Sequence, residues 1–200
     1  MLFIGITGGV GAGKSAVLEY LSRRTDTRVM LADEIAHELM EPGTDCYREL
    51  RRAIGDETLY AADGHFCKEK LAAWLFGSEA NRQLLNGIVH PAVKDYVRRT
   101  AAEEEKKGKL ALLVLEAALL IEEHYDEVCQ ELWYIYTSED NRRKRLKETR
   151  GYTDAKITAI FRSQLPEEVF RSRCTETIDN NGSREETQEQ IRQLLLARGM

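Results

Sequence analysis

The run Gly8-Gly9-Val10-Gly11-Ala12-Gly13-Lys14-Ser15 holds the residue types and spacing most clearly suited to chemistry in this chain. It fits the pattern G-x-x-x-x-G-K-[ST] at every fixed position. Glycines let successive backbone N–H groups wrap an anion without side-chain clash and without penalty at positive φ. A helix following the loop would turn its positive end toward that anion. Lys14 is then expected to reach the β- and γ-phosphates of ATP, and the Ser15 hydroxyl to ligate Mg²⁺.

A phosphate loop alone does not separate a kinase from a switch GTPase or a motor ATPase. Asp33 follows the second predicted strand, at the end where parallel sheets present their functional groups. A carboxylate there could accept the proton of an attacking hydroxyl. It could equally cap a helix beginning at Glu34, and the two roles are compatible. In the run Arg142-Arg143-Lys144-Arg145-Leu146-Lys147-Glu148-Thr149-Arg150, six of nine residues are basic in a chain of net charge −5. Individually these suit a solvated helix face. Together they suit a lid over roughly 139–170, whose arginines would stabilise a transferring phosphoryl group. The guanine-specifying N-K-x-D motif is missing, which weakens a GTPase reading.

The elements that must position these groups alternate between strand and helix. Short apolar strands are predicted at Leu2–Thr7, Arg28–Leu31, Leu110–Leu115, Glu131–Tyr136 and Thr175–Asp179. Helices are predicted after Lys14, over Asp33–Met40, through most of 44–106, after the fourth strand, and over Glu185–Arg198. His90-Pro91 should break the long helical pattern Ala80–Glu105, because proline disfavours helix at the residue before it. Trp74 and Phe76 are expected to pack in the core. The alternation predicts an α/β chain: a three-layer P-loop fold with a parallel five-stranded sheet and helices on both faces.

The 200 residues suffice for one such domain, and 42% hydrophobic with 32% charged residues is ordinary for a globular chain. The net negative charge argues against a general nucleic-acid partner. No stretch approaches the roughly 18 apolar residues of a membrane helix, and Met1–Gly5 lacks the pattern of a signal peptide. Cys46, Cys67, Cys129 and Cys174 show no CxxC spacing and read as reduced thiols in a cytoplasmic protein. His37, His65 and His124 show no metal-ligand spacing.

In order along the chain, several segments resemble the dephospho-coenzyme A kinases. They are Thr7–Ser15, then Leu31-Ala32-Asp33 with Ile35–Leu39 and Pro42-Gly43, then His90-Pro91, then Ser163–Pro166 leading to Ile178–Ser183. The resemblance implies ATP-dependent phosphorylation of the ribose 3′-hydroxyl of dephospho-CoA, with Mg²⁺, by a monomer or weak homo-oligomer. It implies an ATP site of Gly9, Val10, Gly11, Ala12, Gly13, Lys14, Ser15 and Ala16 with Arg142 and Asn180. Lys14, Asp33 and Arg145 would be catalytic, and Thr7, Asp33, His90 and Leu119 would meet the acceptor. Glu116 would assist Ser15 at magnesium through water, and residues 60–105 would form a helical acceptor-binding insertion. Departures from the family pattern lie at Ala118 (usually proline), Glu116 (a longer acid), Cys174-Thr175 (one acid lost) and Val169-Phe170 in the lid. A kinase for another small acceptor, such as a nucleoside or nucleotide, is the alternative reading. A P-loop ATPase or switch acting through a protein partner is the third.

Overall fold

Five short apolar runs form the strands of one parallel sheet in the computed structural model, which describes residues 1–200. They are β1 (Leu2–Thr7), β2 (Thr27–Leu31), β3 (Leu112–Glu116), β4 (Glu131–Tyr136) and β5 (Glu176–Asp179), in the order β2-β3-β1-β4-β5. Register is set by pairs such as Ile4↔Val114, Ile6↔Trp133 and Ile135↔Ile178. The helices are α1 (Lys14–Ser22), α2 (Ala32–Leu39), α3 (Asp45–Ile54), α4 (Lys68–Gly77), α5 (Glu79–Lys107), α6 (Glu139–Arg150), α7 (Asp154–Arg162), α8 (Glu167–Arg173) and α9 (Arg184–Leu196).

The chain divides into two compact units, residues 1–30 with 103–200 and residues 31–102. In the first, Ile4, Ile6, Val114, Trp133, Ile135 and Ile178 form one buried sheet face against Val17 and Leu21 of α1 and Ile191 and Leu195 of α9. Alternate residues Phe3, Leu113, Leu115, Leu132 and Tyr134 are buried as well, so the strands read as nearly continuous apolar runs. Each fully buried aliphatic side chain here contributes roughly 1.5–3 kcal/mol. Phe170 of α8 stacks on Tyr134 with ring centres 4.8 Å apart. The chain end is latched by Arg198, which donates to Glu131 Oε1 at 2.8 Å and Glu176 Oε1 at 2.7 Å.

The second unit is helical around an aromatic cluster. Tyr47 meets Tyr60 and Phe66 edge-on, with Leu59, Ile54 and Trp74 alongside. Pro42-Gly43 closes α2 as expected, and Thr44 caps α3 by accepting from the Tyr47 N–H at 3.0 Å.

Three local expectations are corrected. First, α5 runs unbroken through Pro91. Leu85, Val89, Val93 and Val97 are buried at four-residue spacing on both sides of an exposed proline, so packing outweighs the one backbone bond that proline forfeits. Second, Asp33 does not cap α2. The helix begins at Ala32, two residues before Glu34, with Leu31 at the cap, and Asp33 lies inside the first turn. Third, Phe76 is 83% exposed. The apolar residues of α4 are spread around the helix rather than gathered on one side, and none is fully buried.

Candidate active site

Strand β1 delivers the chain into the loop 8–13, and α1 begins at Lys14. Gly13 adopts φ 91°, a left-handed conformation that suits glycine, and a Cβ there would collide with the Asn180 amide. No side chain caps α1 and its first turn holds no acid. Its leading N–H groups and the positive end of its dipole are therefore left for an outside anion. Ser15 stands exposed at this helix start.

Lys14 Nζ donates to the Gly8 carbonyl at 2.9 Å and lies 3.4 Å from Glu116 Oε1. Glu116 ends β3, opposite Ile6 in the sheet register. Parallel pairing thus carries a carboxylate from a distant segment to the side of the phosphate loop. Thr7, one residue before the loop, is buried, and its hydroxyl has no hydrogen-bond partner. Leu119 lies in the segment after β3 with its side chain partly in solvent.

The outer side of the loop is gripped through its carbonyls. Ala12 O accepts from Asn180 Nδ2 at 2.6 Å, Thr137 Oγ1 at 2.9 Å and Arg145 Nη1 at 3.3 Å. Arg145 Nη2 also donates to Asn180 O at 2.7 Å, and Thr187 Oγ1 donates to Asn180 Oδ1 at 2.9 Å. Arg142 Nε donates to Val10 O at 2.9 Å, and its guanidinium covers Gly9 so closely that a Cβ there would overlap it. Burial holds the Arg142 pKa below the usual arginine value, with Tyr134 and Glu139 opposing the shift. Asn181 fixes the start of α6 by accepting from Ser138 N–H and Asn141 Nδ2, each at 2.9 Å.

The expected residues Gly9–Ala16, Glu116, Arg142, Arg145 and Asn180 thus converge within the sheet unit, joined by the contacts above. Asp33 and His90 belong to the helical unit. Asp33 is exposed, and its backbone carbonyl lies 2.6 Å from His37 Nδ1. Arg145 and Asn180 direct their side-chain donors to backbone carbonyls, Ala12 O for both and Asn180 O for Arg145 as well. Thr137, Gln164, Asn181 and Thr187 were missed from the sequence. Thr137 and Asn181 flank a strand end and an expected site residue, a positional signal that could have found them.

A parallel sheet in this order, a glycine loop feeding an uncapped helix, and a lysine beside a strand-end carboxylate invite comparison with known kinases. The dephospho-CoA kinase family model matches residues 2–186. The chain belongs to the dephospho-CoA kinase family. A dephospho-CoA kinase from Geobacillus kaustophilus is 35% identical over 196 residues, covering 97% of this chain and 95% of its own. One from Shouchella clausii is 33% identical over 188 residues, covering 94% of each. Among solved structures, one from Thermus thermophilus superposes with TM-score 0.79 at 28% identity, covering 98% of this chain and 97% of that one. At 15% identity, a shikimate kinase from Acinetobacter baumannii shares the fold alone, with TM-score 0.55 and 99% and 94% of the two chains covered. No helix is long and apolar enough to cross a membrane.

Proposed function

We propose that this chain transfers the γ-phosphoryl group of ATP to the ribose 3′-hydroxyl of dephospho-CoA, giving CoA and ADP, in the cytoplasm and as a monomer or weak homo-oligomer. The observation that carries the ATP side is the uncapped start of α1 behind the glycine loop, with Lys14 held ready beside it. Family membership supports the acceptor.

In this reading the loop N–H groups and Lys14 hold the β- and γ-phosphates, and Asp33 accepts the proton of the attacking hydroxyl. Arg145 exchanges loop carbonyls for phosphate oxygens and, with Arg142 seated over Gly9, stabilises charge on the transferring group. Residues 60–105, with His90, together with Thr7 and Leu119, hold the acceptor, and residues 139–170 act as the lid. Rate enhancement comes mainly from positioning and charge stabilisation.

The donor set fits magnesium. Ser15 exposes a hydroxyl at the helix start, and Glu116 brings a carboxylate to 3.4 Å from Lys14 Nζ; hard oxygens of this kind suit Mg²⁺ with its retained waters. Ser15 would hold the ion directly and Glu116 through water, and the ion would neutralise charge on the phosphate oxygens.

The test is ADP release from purified protein with ATP and Mg²⁺, with and without dephospho-CoA, beside a panel of nucleosides and nucleotides. Release that depends on dephospho-CoA, with CoA found by mass, supports the reading. Turnover only with another acceptor discards the substrate, and turnover that needs a protein partner instead discards the kinase.

A further inference from the structure

We propose that Gln164 is a positioning residue of the nucleotide site, acting through Arg142. The inference rests on the ATP reading of the loop but concerns a residue outside it. Arg142 is held on three sides. Its Nε donates to the Val10 carbonyl at 2.9 Å, its face lies 4.3 Å from the centre of the Phe161 ring, and its Nη2 donates to Gln164 Oε1. A guanidinium is a planar fork of donors, so a hydrogen bond at one edge and a ring on one face still leave it one swing, which a second in-plane hydrogen bond removes. Val10 fixes an edge, Phe161 the face, and Gln164 the remaining direction.

Gln164 is itself well placed to do this. It sits in the short link between α7 and α8, with its N–H bonded to the Phe161 carbonyl at 3.3 Å and Pro166 two residues on. Phe161 and Gln164 are thus one turn of backbone, and they present an aromatic face and an amide oxygen to the same cation.

The surroundings show why a tether is needed. Beside Arg142 lies a cleft of about 160 Å³ whose lining includes Glu139, Glu167, Tyr134 and Phe170. The two carboxylates in that lining are engaged elsewhere, Glu139 with Arg143 at 3.0 Å and Glu167 with Arg171 at 2.6 Å, and the acceptors that Arg142 meets are Val10 O and Gln164 Oε1. Without the acceptor at its Nη2, the guanidinium would be free to swing into the cleft and uncover Gly9. The amide oxygen of Gln164, in the same lining, supplies that acceptor and keeps the cation over the phosphate loop. Gln164 therefore ties the α7–α8 link to the loop, and loss of the tie should loosen the nucleotide without touching it directly.

The test measures ADP binding by calorimetry, with thermal unfolding in parallel, for wild type, Gln164→Leu, Gln164→Glu, Arg142→Met and the Leu/Met double variant. Gln164→Leu is expected to weaken ADP by roughly tenfold, the scale of one hydrogen bond to a charged group. Gln164→Glu keeps an acceptor and should bind within about twofold of wild type. The double variant should bind no worse than Arg142→Met alone, because both changes break one device. Additive losses, or unchanged ADP affinity in Gln164→Leu, would overturn the proposal. So would a Gln164→Glu variant as weak as Gln164→Leu at equal thermal stability. Failure of the wild type to bind ADP would instead overturn the nucleotide reading itself.

Discussion

Lys14 Nζ stands 3.4 Å from Glu116 Oε1 while donating to the Gly8 carbonyl at 2.9 Å. Both side chains are largely buried, so the lysine is held in one place before any phosphate arrives. An incoming triphosphate finds its cation already gathered and need only displace Glu116 as the counter-charge. Glu116→Gln keeps the shape and removes the charge. It should raise the Mg²⁺ concentration for half-maximal turnover by roughly tenfold, on the scale expected when one oriented partner of a metal is lost. A magnesium titration that is unchanged in the variant removes Glu116 from that role.

Asp33 lies in the first turn of α2 with an exposed side chain, and it does not cap the helix. Asp33→Asn should therefore leave the fold and ATP binding intact while lowering turnover by roughly 10²–10⁴, the usual contribution of a positioned base. Near-normal turnover would show that the acceptor hydroxyl loses its proton elsewhere.

Gly13 and Asn180 test the outer grip on the loop. Gly13→Ala must adopt φ near 91° and would also push the Asn180 amide off the Ala12 carbonyl. It should lose ADP affinity by more than tenfold and lower the unfolding temperature. Asn180→Ala leaves the loop glycine unstrained but strips partners from Ala12 O and the Thr187 hydroxyl, at a cost of about 1–3 kcal/mol. Equal thermal stability of Asn180→Ala and wild type would mean that these bonds are readily replaced by water.

Arg198 and Glu131 give a pH-dependent term. Burial would raise the Glu131 pKa, but the hydrogen bonds from Arg198 and Trp133 outweigh it and hold the group below the ordinary glutamate value. A depressed carboxyl contributes stability that is present above its unfolded pKa, roughly 4.3, and is lost as pH falls through the folded value. The unfolding-temperature gap between wild type and Arg198→Met should be full at pH 6 and close below about pH 4. A gap independent of pH would assign the effect to packing of Arg198 over the Trp133 ring, 5.5 Å away.

The phosphate loop and the strands were legible because their causes are local. Glycine spacing dictates the loop, and continuous apolar runs dictate buried parallel strands. The partners of Ala12 O were not, since a backbone carbonyl carries no letter that names its donors. Those donors lie 125, 133 and 168 residues away along the chain. Gln164 was visible within a family segment, but its bond to Arg142 depends on how α7 and α8 fold back over the sheet. Pro91 was misread because a local rule lost to a buried stripe, and Phe76 because its helix gathers no apolar side.

The Ala12 carbonyl also sets an order of events during synthesis. The loop leaves the ribosome early, whereas Asn180 follows 168 residues later, a delay of roughly ten to thirty seconds at typical elongation rates. Until then the loop has its glycines and lysine but lacks its deepest anchor. A nascent chain should thus gain firm hold of nucleotide only as its final strand joins the sheet, which makes binding a report that assembly is finished.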